Sequence, residues 1–330
     1  MLGRIVYQRL LPAFRKAWTR DVDARVRELH EHLARVAAEL SDLRQSHRRL
    51  TLAEWTARHA PLLASIDSRL DADAIRTHVI RAVNQATLCA EPTAHLVVDD
   101  VLPPEFYQTL REAIPPAEFF PDRDPVKRDL EMETLDSAPE LTRRVWRFFD
   151  DVVVATILAP AILERLRAAV TERYAESGGP DFGTRAAAVP HRTVAGRIQL
   201  RRPGYHLRPH LDPRRVAITG LLYLAGPGDD PAYGTQLFRV NRPFVASGVK
   251  TFFPEDAGLT CESAVTVPFK ANTLFTFVNA RAAHGATLPI DAPLQERYAF
   301  QFYVKPDDGQ LKRLLAALPE AERAAWGGLI

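Results

Sequence analysis

Cysteine is almost missing from this chain: 330 residues carry only Cys89 and Cys261, far apart and in no metal-spaced pair. Disulfide scaffolds and zinc ribbons are thereby excluded, and a reducing, cytoplasmic setting is expected. An excess of one charge is lacking too. The 43 basic and 41 acidic residues leave a formal net charge of +2, which argues against nucleic acid as a partner. No apolar run reaches the roughly 18 residues that span a bilayer. The opening residues 1–20, MLGRIVYQRLLPAFRKAWTR, hold five basic residues and no acid, without a compact apolar h-region and cleavage site. They read as a basic amphipathic segment, not a secretory signal, and membrane contact is not expected. HExxH, GxSxG and P-loop motifs are absent, and GPGDDPAYG lies between β-like runs and reads as a turn. What remains is an ordinary globular composition, 46% hydrophobic and 25% charged, in a chain long enough to bury a large core.

The N-terminal third is helical in pattern. Val22, Val26, Leu29, Leu33, Val36, Leu40, Leu43, His47 and Leu50 keep an unbroken 4-3 spacing. That narrow seam predicts a coiled-coil helix over 21–58 and a homodimer through residues 21–50. Parallel pairing brings Glu39 near Arg44 of the other copy. The alternative is a single long helix packed on its own domain. A helical connector follows over 59–92, with Leu62, Leu63, Ile66, Leu70, Ile75, Val79, Ile80 and Val83 at helical spacing.

Beyond residue 93 the texture changes. AHLVVDD predicts a short strand and LPPEFYQTLREAI a helix with proline in its first turn. Residues 115–139 read as a proline- and charge-rich loop that shapes a pocket. Residues 141–174 read as one or two buried helices interrupted at Pro160. From Val194 the period shifts toward two: VAGRIQL, VAITGLLYLA, GTQLFRV, KTFFP, AVTVPF, NTLFTFV and YAFQFYV are short β-rich runs without helices between them. The predicted class is α+β: an antiparallel barrel or double-sheet jelly roll with flanking helices and the N-terminal coiled-coil helix. The main domain is placed at 93–310, with a C-terminal helix over 311–330.

The chemistry-bearing residues cluster in that β-rich region. In RRPGYHLRPHLDPRR, His210 and Asp212 stand two apart, on one face of a strand, where both can meet one metal. His284, in NTLFTFVNARAAHGATLP, is the third ligand candidate, just after another strand. Two imidazoles and one carboxylate leave three positions open, which suits non-haem Fe(II). Thirteen residues on, Arg297 opens the last predicted strand, and an always-charged planar guanidinium suits capture of a carboxylate. Arg197, Gln199, Arg201, Tyr205, Tyr223, Gln236, Thr276 and Asn279 are polar candidates for the same cavity. Eight arginines and one acid between Arg185 and Arg215 suggest an electropositive mouth and an anionic substrate. Arginines on a solvated outer face are the alternative.

Together, GYHLRPHLD, TGLLYLA, YGTQLFRV, FKANTLFTFV, HGAT and ERYAFQFYV resemble the bacterial 2-oxoglutarate/Fe(II)-dependent oxygenases of the prolyl 4-hydroxylase-like branch, over about Thr93 to Pro306. One departure is the insertion of His206 and Leu207 between Tyr205 and Arg208. The resemblance implies a double-stranded β-helix with Fe(II) on His210, Asp212 and His284. It also implies 2-oxoglutarate and O2 as cosubstrates, with ascorbate as a reductant. Arg297 would pair with the far carboxylate, and Tyr205, Gln199 and Tyr223 are further cosubstrate-binding candidates. The implied reaction is hydroxylation of an unactivated C–H in a small-molecule or peptidyl substrate, releasing succinate and CO2. Desaturation, cyclisation or epimerisation at the same iron, or a non-catalytic barrel with a coiled-coil scaffold role, are the alternatives.

Overall fold

The computed structural model describes residues 2–121, 124–241, 250–293 and 296–324, leaving aside the side chains of 2–21, Ser177 and Ala324. Helix α1 spans Leu2–Ala64. From residue 13 to residue 60 it contains neither glycine nor proline, so nothing interrupts its hydrogen-bond ladder. The chain divides into two units between Arg58 and His59. In the first, the apolar residues of the seam from Val22 to Leu50 stand 41–68% exposed. The basic character expected of residues 1–20 concerns side chains outside the described ones. No described helix is long and apolar enough to cross a membrane.

The second unit begins with the end of α1 and a short 3-10 turn at Ile66–Arg69. The expected helical connector therefore breaks before α2 (Ala72–Gln85), where Asp71 caps the new helix by accepting from the amides of Asp73 and Ala74. Helix α3 (Pro104–Glu112) takes its proline at the first turn. Helix α4 (Glu140–Arg147), a π-helical stretch (Phe148–Leu158) and α5 (Ala159–Ala187) join end to end, and α5 kinks at Gly179, whose φ of 80° leaves the helical region ahead of Pro180. The interruption expected at Pro160 does not occur. The proline sits just after the change from π to α register. The C-terminal tail forms α6 (Asp308–Ala316) and α7 (Glu320–Ala324), separated ahead of Pro319.

Among the described residues, eleven strands build two antiparallel sheets. They are β1 (Leu88–Cys89), β2 (His95–Val98), β3 (Lys127–Glu131), β4 (His191–Arg201), β5 (His206–His210), β6 (Ile218–Tyr223), β7 (Thr235–Val240), β8 (Cys261–Val267), β9 (Thr273–Val278), β10 (Ala282–Thr287) and β11 (Arg297–Pro306). The larger sheet runs β1-β2-β9-β6-β11-β4-β3 and the smaller β5-β10-β7-β8. From β4 to β11 the chain passes back and forth between the two, which is the winding of a jelly roll. Two expectations change here. The 115–139 segment is not all loop, because β3 lies within it and pairs with β4. KTFFP forms no strand, and only Phe252 bridges, to Leu211.

Alternation along β11 decides what faces where. Phe300 and Phe302 turn outward under the helices, Phe300 stacking on Trp146 at 5.5 Å and meeting Phe149 edge-on at 5.0 Å. Burying each such ring contributes about 1.5–3 kcal/mol. Arg297, Ala299 and Gln301 turn inward. Part of the inter-sheet space is filled by Leu221, Tyr223, Leu237, Val267, Phe275 and Phe277. Polar residues of β3, β4, β5 and β11 line the remainder.

Candidate metal centre

His210 ends β5 and His284 lies in β10, and the two are register partners across the smaller sheet. His284 thus belongs to a strand of its own, not to the chain after one. The short run AAHGAT carries too little β-branched bulk to announce a strand. Gly285 allows the close approach: a Cβ there would sit 2.6 Å from the carbonyl oxygen of Leu207 in β5. The two imidazole centroids are 4.1 Å apart.

Asp212 follows β5 and completes the triad. Leu211, between His210 and Asp212, exchanges both backbone hydrogen bonds with Phe252, at 2.8 and 3.0 Å. Asn279 Nδ2 donates to the carbonyl oxygens of Asp212 and Val216, fixing the turn beyond. The Asp212 carboxylate lies 3.6 Å from His284 Nε2 and 4.0 Å from His210 Nε2. The three candidate ligand atoms fall within 4.8 Å of one another, and all three residues are buried.

Burial decides the protonation of both histidines. It lowers His284 to about 3, with the neighbouring His210 adding to the effect, and it lowers His210 as well. Both are neutral imidazoles at physiological pH, the form that binds a metal. His210 Nδ1 donates to the Arg208 carbonyl oxygen at 3.0 Å, which leaves Nε2 free for a ligand. Each oxygen of Asp212 accepts one hydroxyl: Thr219 donates to Oδ2 at 2.6 Å and Tyr303 to Oδ1 at 3.0 Å. Burial, followed by the charge of Asp212, raises the Tyr303 phenol, so it stays a donor.

Tyr303 belongs to a wider polar network. Its hydroxyl accepts from Arg197 Nη2 and from Gln301 Nε2, both at 3.2 Å. Arg197 Nε and Gln199 Nε2 both donate to Gln301 Oε1. Neither Tyr303 nor Gln301 was a sequence candidate. The alternation of β11 counted inward from Arg297 is the signal that selects them.

The triad opens into a cavity of about 280 Å³. Arg297 lines it and is 3% exposed. Its guanidinium packs against Phe269 at 4.7 Å and Tyr223 at 5.4 Å, with Nη2 donating to Thr235 Oγ1 at 3.4 Å. Its Nε has no hydrogen-bond partner among the described residues. A buried, under-satisfied guanidinium facing a cavity is prepared for an anion. Tyr205 and Gln199 also line the cavity.

Tyr223 stands elsewhere than expected. It is fully buried behind Arg297, and its hydroxyl accepts from the Thr235 amide at 3.0 Å, off the cavity wall. Gln236, Thr276 and Asn279 are likewise absent from that wall. Of the eight arginines between 185 and 215, Arg197 and Arg201 reach the cavity. Arg192, Arg202 and Arg208 form outer ion pairs with Asp308, Glu296 and Asp256. Lys127 and Asp129 of β3 also line the cavity, and reading their segment as loop hid them.

No family model and no curated protein matches the chain. Similar solved structures include a Pseudomonas putida prolyl-4-hydroxylase, 18% identical over 69% of this chain and 97% of that one, TM-score 0.37. Another is HygX from Streptomyces hygroscopicus with nickel, 2-oxoglutarate and hygromycin B bound, 16% identical over 64% and 82%, TM-score 0.37. The 2-oxoglutarate-dependent epimerase SnoN from nogalamycin biosynthesis is 14% identical over 72% and 82%, TM-score 0.39. Likenesses this distant add nothing to what the site's own residues support.

Proposed function

We propose that this protein is an Fe(II)- and 2-oxoglutarate-dependent oxygenase that hydroxylates an unactivated C–H of a small-molecule or peptidyl substrate. The observation that carries this reading is the buried triad of His210, Asp212 and His284 facing a cavity that also holds the buried Arg297. The donor set fits the metal: two neutral imidazoles and one carboxylate, with three positions left for other ligands. No fourth His, Cys, Asp or Glu joins the cluster among the described residues, as a closed structural zinc site would require.

When bound, Fe(II) with 2-oxoglutarate and O2 supplies the oxidising chemistry, releasing succinate and CO2. The chain's share is positional. The Arg208 carbonyl, Thr219 and Tyr303 hold His210 and Asp212 in orientation. Arg297 would take the far carboxylate of the keto acid, and Tyr205, Leu207 and Phe253 on the wall would exclude water. Desaturation, cyclisation and epimerisation use the same residues and diverge after hydrogen abstraction.

Succinate release from 2-oxoglutarate with Fe(II) and ascorbate under air tests the reading. Wild type should turn over slowly without substrate, and His210→Ala should abolish turnover. Arg297→Ala should raise the 2-oxoglutarate KM about tenfold or more, the loss of a charge-assisted pair. Absence of both metal and 2-oxoglutarate binding in calorimetry would favour the non-catalytic barrel.

The same reading includes a homodimer through residues 21–50. The exposed heptad seam needs a cover, and parallel pairing of two copies sets Glu39 of each against Arg44 of the other.

A further inference from the structure

Three cations stand side by side on the inner face of the larger sheet. Lys127 on β3, Arg201 on β4 and Arg297 on β11 occupy one cross-strand row. Like charges directly opposite one another destabilise a sheet, so such a row calls for anions. The chain supplies one: Asp129 meets Arg201 at 2.7 Å. Arg197 adds a fourth cation to the cavity, and its hydrogen bonds go to neutral groups, Gln301 Oε1 and the Tyr303 hydroxyl.

On the oxygenase reading, on which this inference rests, the other charges close among themselves. The two positive charges of Fe(II) and the one of Arg297 balance Asp212 and the two carboxylates of 2-oxoglutarate. Arg201 balances Asp129. Among the described residues, Lys127 and Arg197 form no ion pair. Lys127 is exposed at the cavity mouth and also borders a neighbouring cavity with Asp124, Asp129 and Glu131. None of these described acids forms an ion pair with it: Asp124 accepts from the amides of Val126 and Lys127, Asp129 pairs with Arg201, and Glu131, opposite Arg197 in register, is exposed and off the triad's cavity wall. Lys127 and Arg197 line the same cavity as the triad.

We propose that the substrate carries an oxyanion, a carboxylate or a phosphate, which Lys127 and Arg197 bind in the cavity apart from the anion held by Arg297. Both classes fit. Arg197 Nε and Nη2 are already engaged with Gln301, so the pair offers point charges, not a planar fork that would select a carboxylate.

The test uses full-length protein loaded with Mn(II) and saturated with 2-oxoglutarate under nitrogen. Inorganic phosphate is followed by phosphorus NMR relaxation, acetate and acetamide by their methyl protons. Bound Mn(II) should enhance the relaxation of phosphate, acetate or both, and leave acetamide unaffected. The enhancement should fall about fivefold or more in Lys127→Ala and Lys127→Glu, while calorimetric 2-oxoglutarate affinity stays within about twofold. Enhancement of phosphate alone assigns a phosphorylated substrate, and of acetate alone a carboxylated one. Enhancement that is absent in wild type, undiminished in both variants, or equal for acetamide overturns the subsite. Failure of wild type to bind Mn(II) or 2-oxoglutarate, read by calorimetry before any anion is added, overturns the oxygenase reading instead.

Discussion

Tyr303 donates its hydroxyl to Asp212 Oδ1 at 3.0 Å, joining the last strand to the turn after β5. With Thr219 on the other oxygen, it fixes the carboxylate plane that the metal would meet. Removing such an outer-shell donor typically costs about 10–100-fold in metal affinity. Tyr303→Phe should therefore weaken Mn(II) binding by that factor in calorimetry. At saturating metal its 2-oxoglutarate KM should match wild type. An unchanged metal affinity would show that Thr219 alone suffices.

Gly285 holds β5 and β10 at the spacing that brings the two histidines together. In Gly285→Ala the new Cβ would meet the Leu207 carbonyl oxygen, a backbone atom that moves only with its strand. Separating the strands should cost about 1–3 kcal/mol of stability, as overpacking does. Metal affinity should fall with it. Urea denaturation beside a metal titration checks both, and wild-type values in both would refute the close-approach account.

Asp150, in the π-helical stretch, is raised to about 6, first by burial and then by Asp151 and Glu133. The folded state therefore holds this proton more tightly than the unfolded chain does. Its stabilising effect is greatest below about pH 4 and is lost as pH rises through about 6. After allowance for its partial exposure, Asp150→Asn should gain about 1 kcal/mol at pH 7.5 and nearly nothing at pH 4. Denaturant melts of both proteins at the two pH values read the difference, and an equal gain at both would rule out titration of Asp150.

Leu40 lies mid-seam and is 48% exposed in the single chain. Leu40→Glu should give a monomer in light scattering where wild type gives a dimer, because a buried charge in the seam is uncompensated. Succinate release should remain within about twofold. A wild-type monomer would leave the seam to some other use.

The sequence by itself singled out the candidate site residues. His210 and Asp212 were selectable as a pair because a two-residue spacing in an extended chain puts side chains on one face whatever lies around it, and His284 and Arg297 were selectable from their places beside later strands in the order the resemblance implies. The period-two runs from Val194 onward likewise carried the antiparallel β architecture, and the 4-3 spacing from Val22 to Leu50 carried one uninterrupted helix. These are local properties, and local periodicity records them.

Only the tertiary structure decided which polar side chains share the cavity. Lys127 and Asp129 sit among prolines and charges that hide a five-residue edge strand, and its pairing with β4 is a long-range event. Tyr223 and Gln199 were indistinguishable as polar residues on strands. Register against β11 and the packing behind Arg297 put one in the core and the other on the wall. Tyr303 reaches Asp212 only because β11 lies between β4 and β6, beside the turn that follows β5. Such contacts join residues up to a hundred positions apart, and no window along the chain contains both partners.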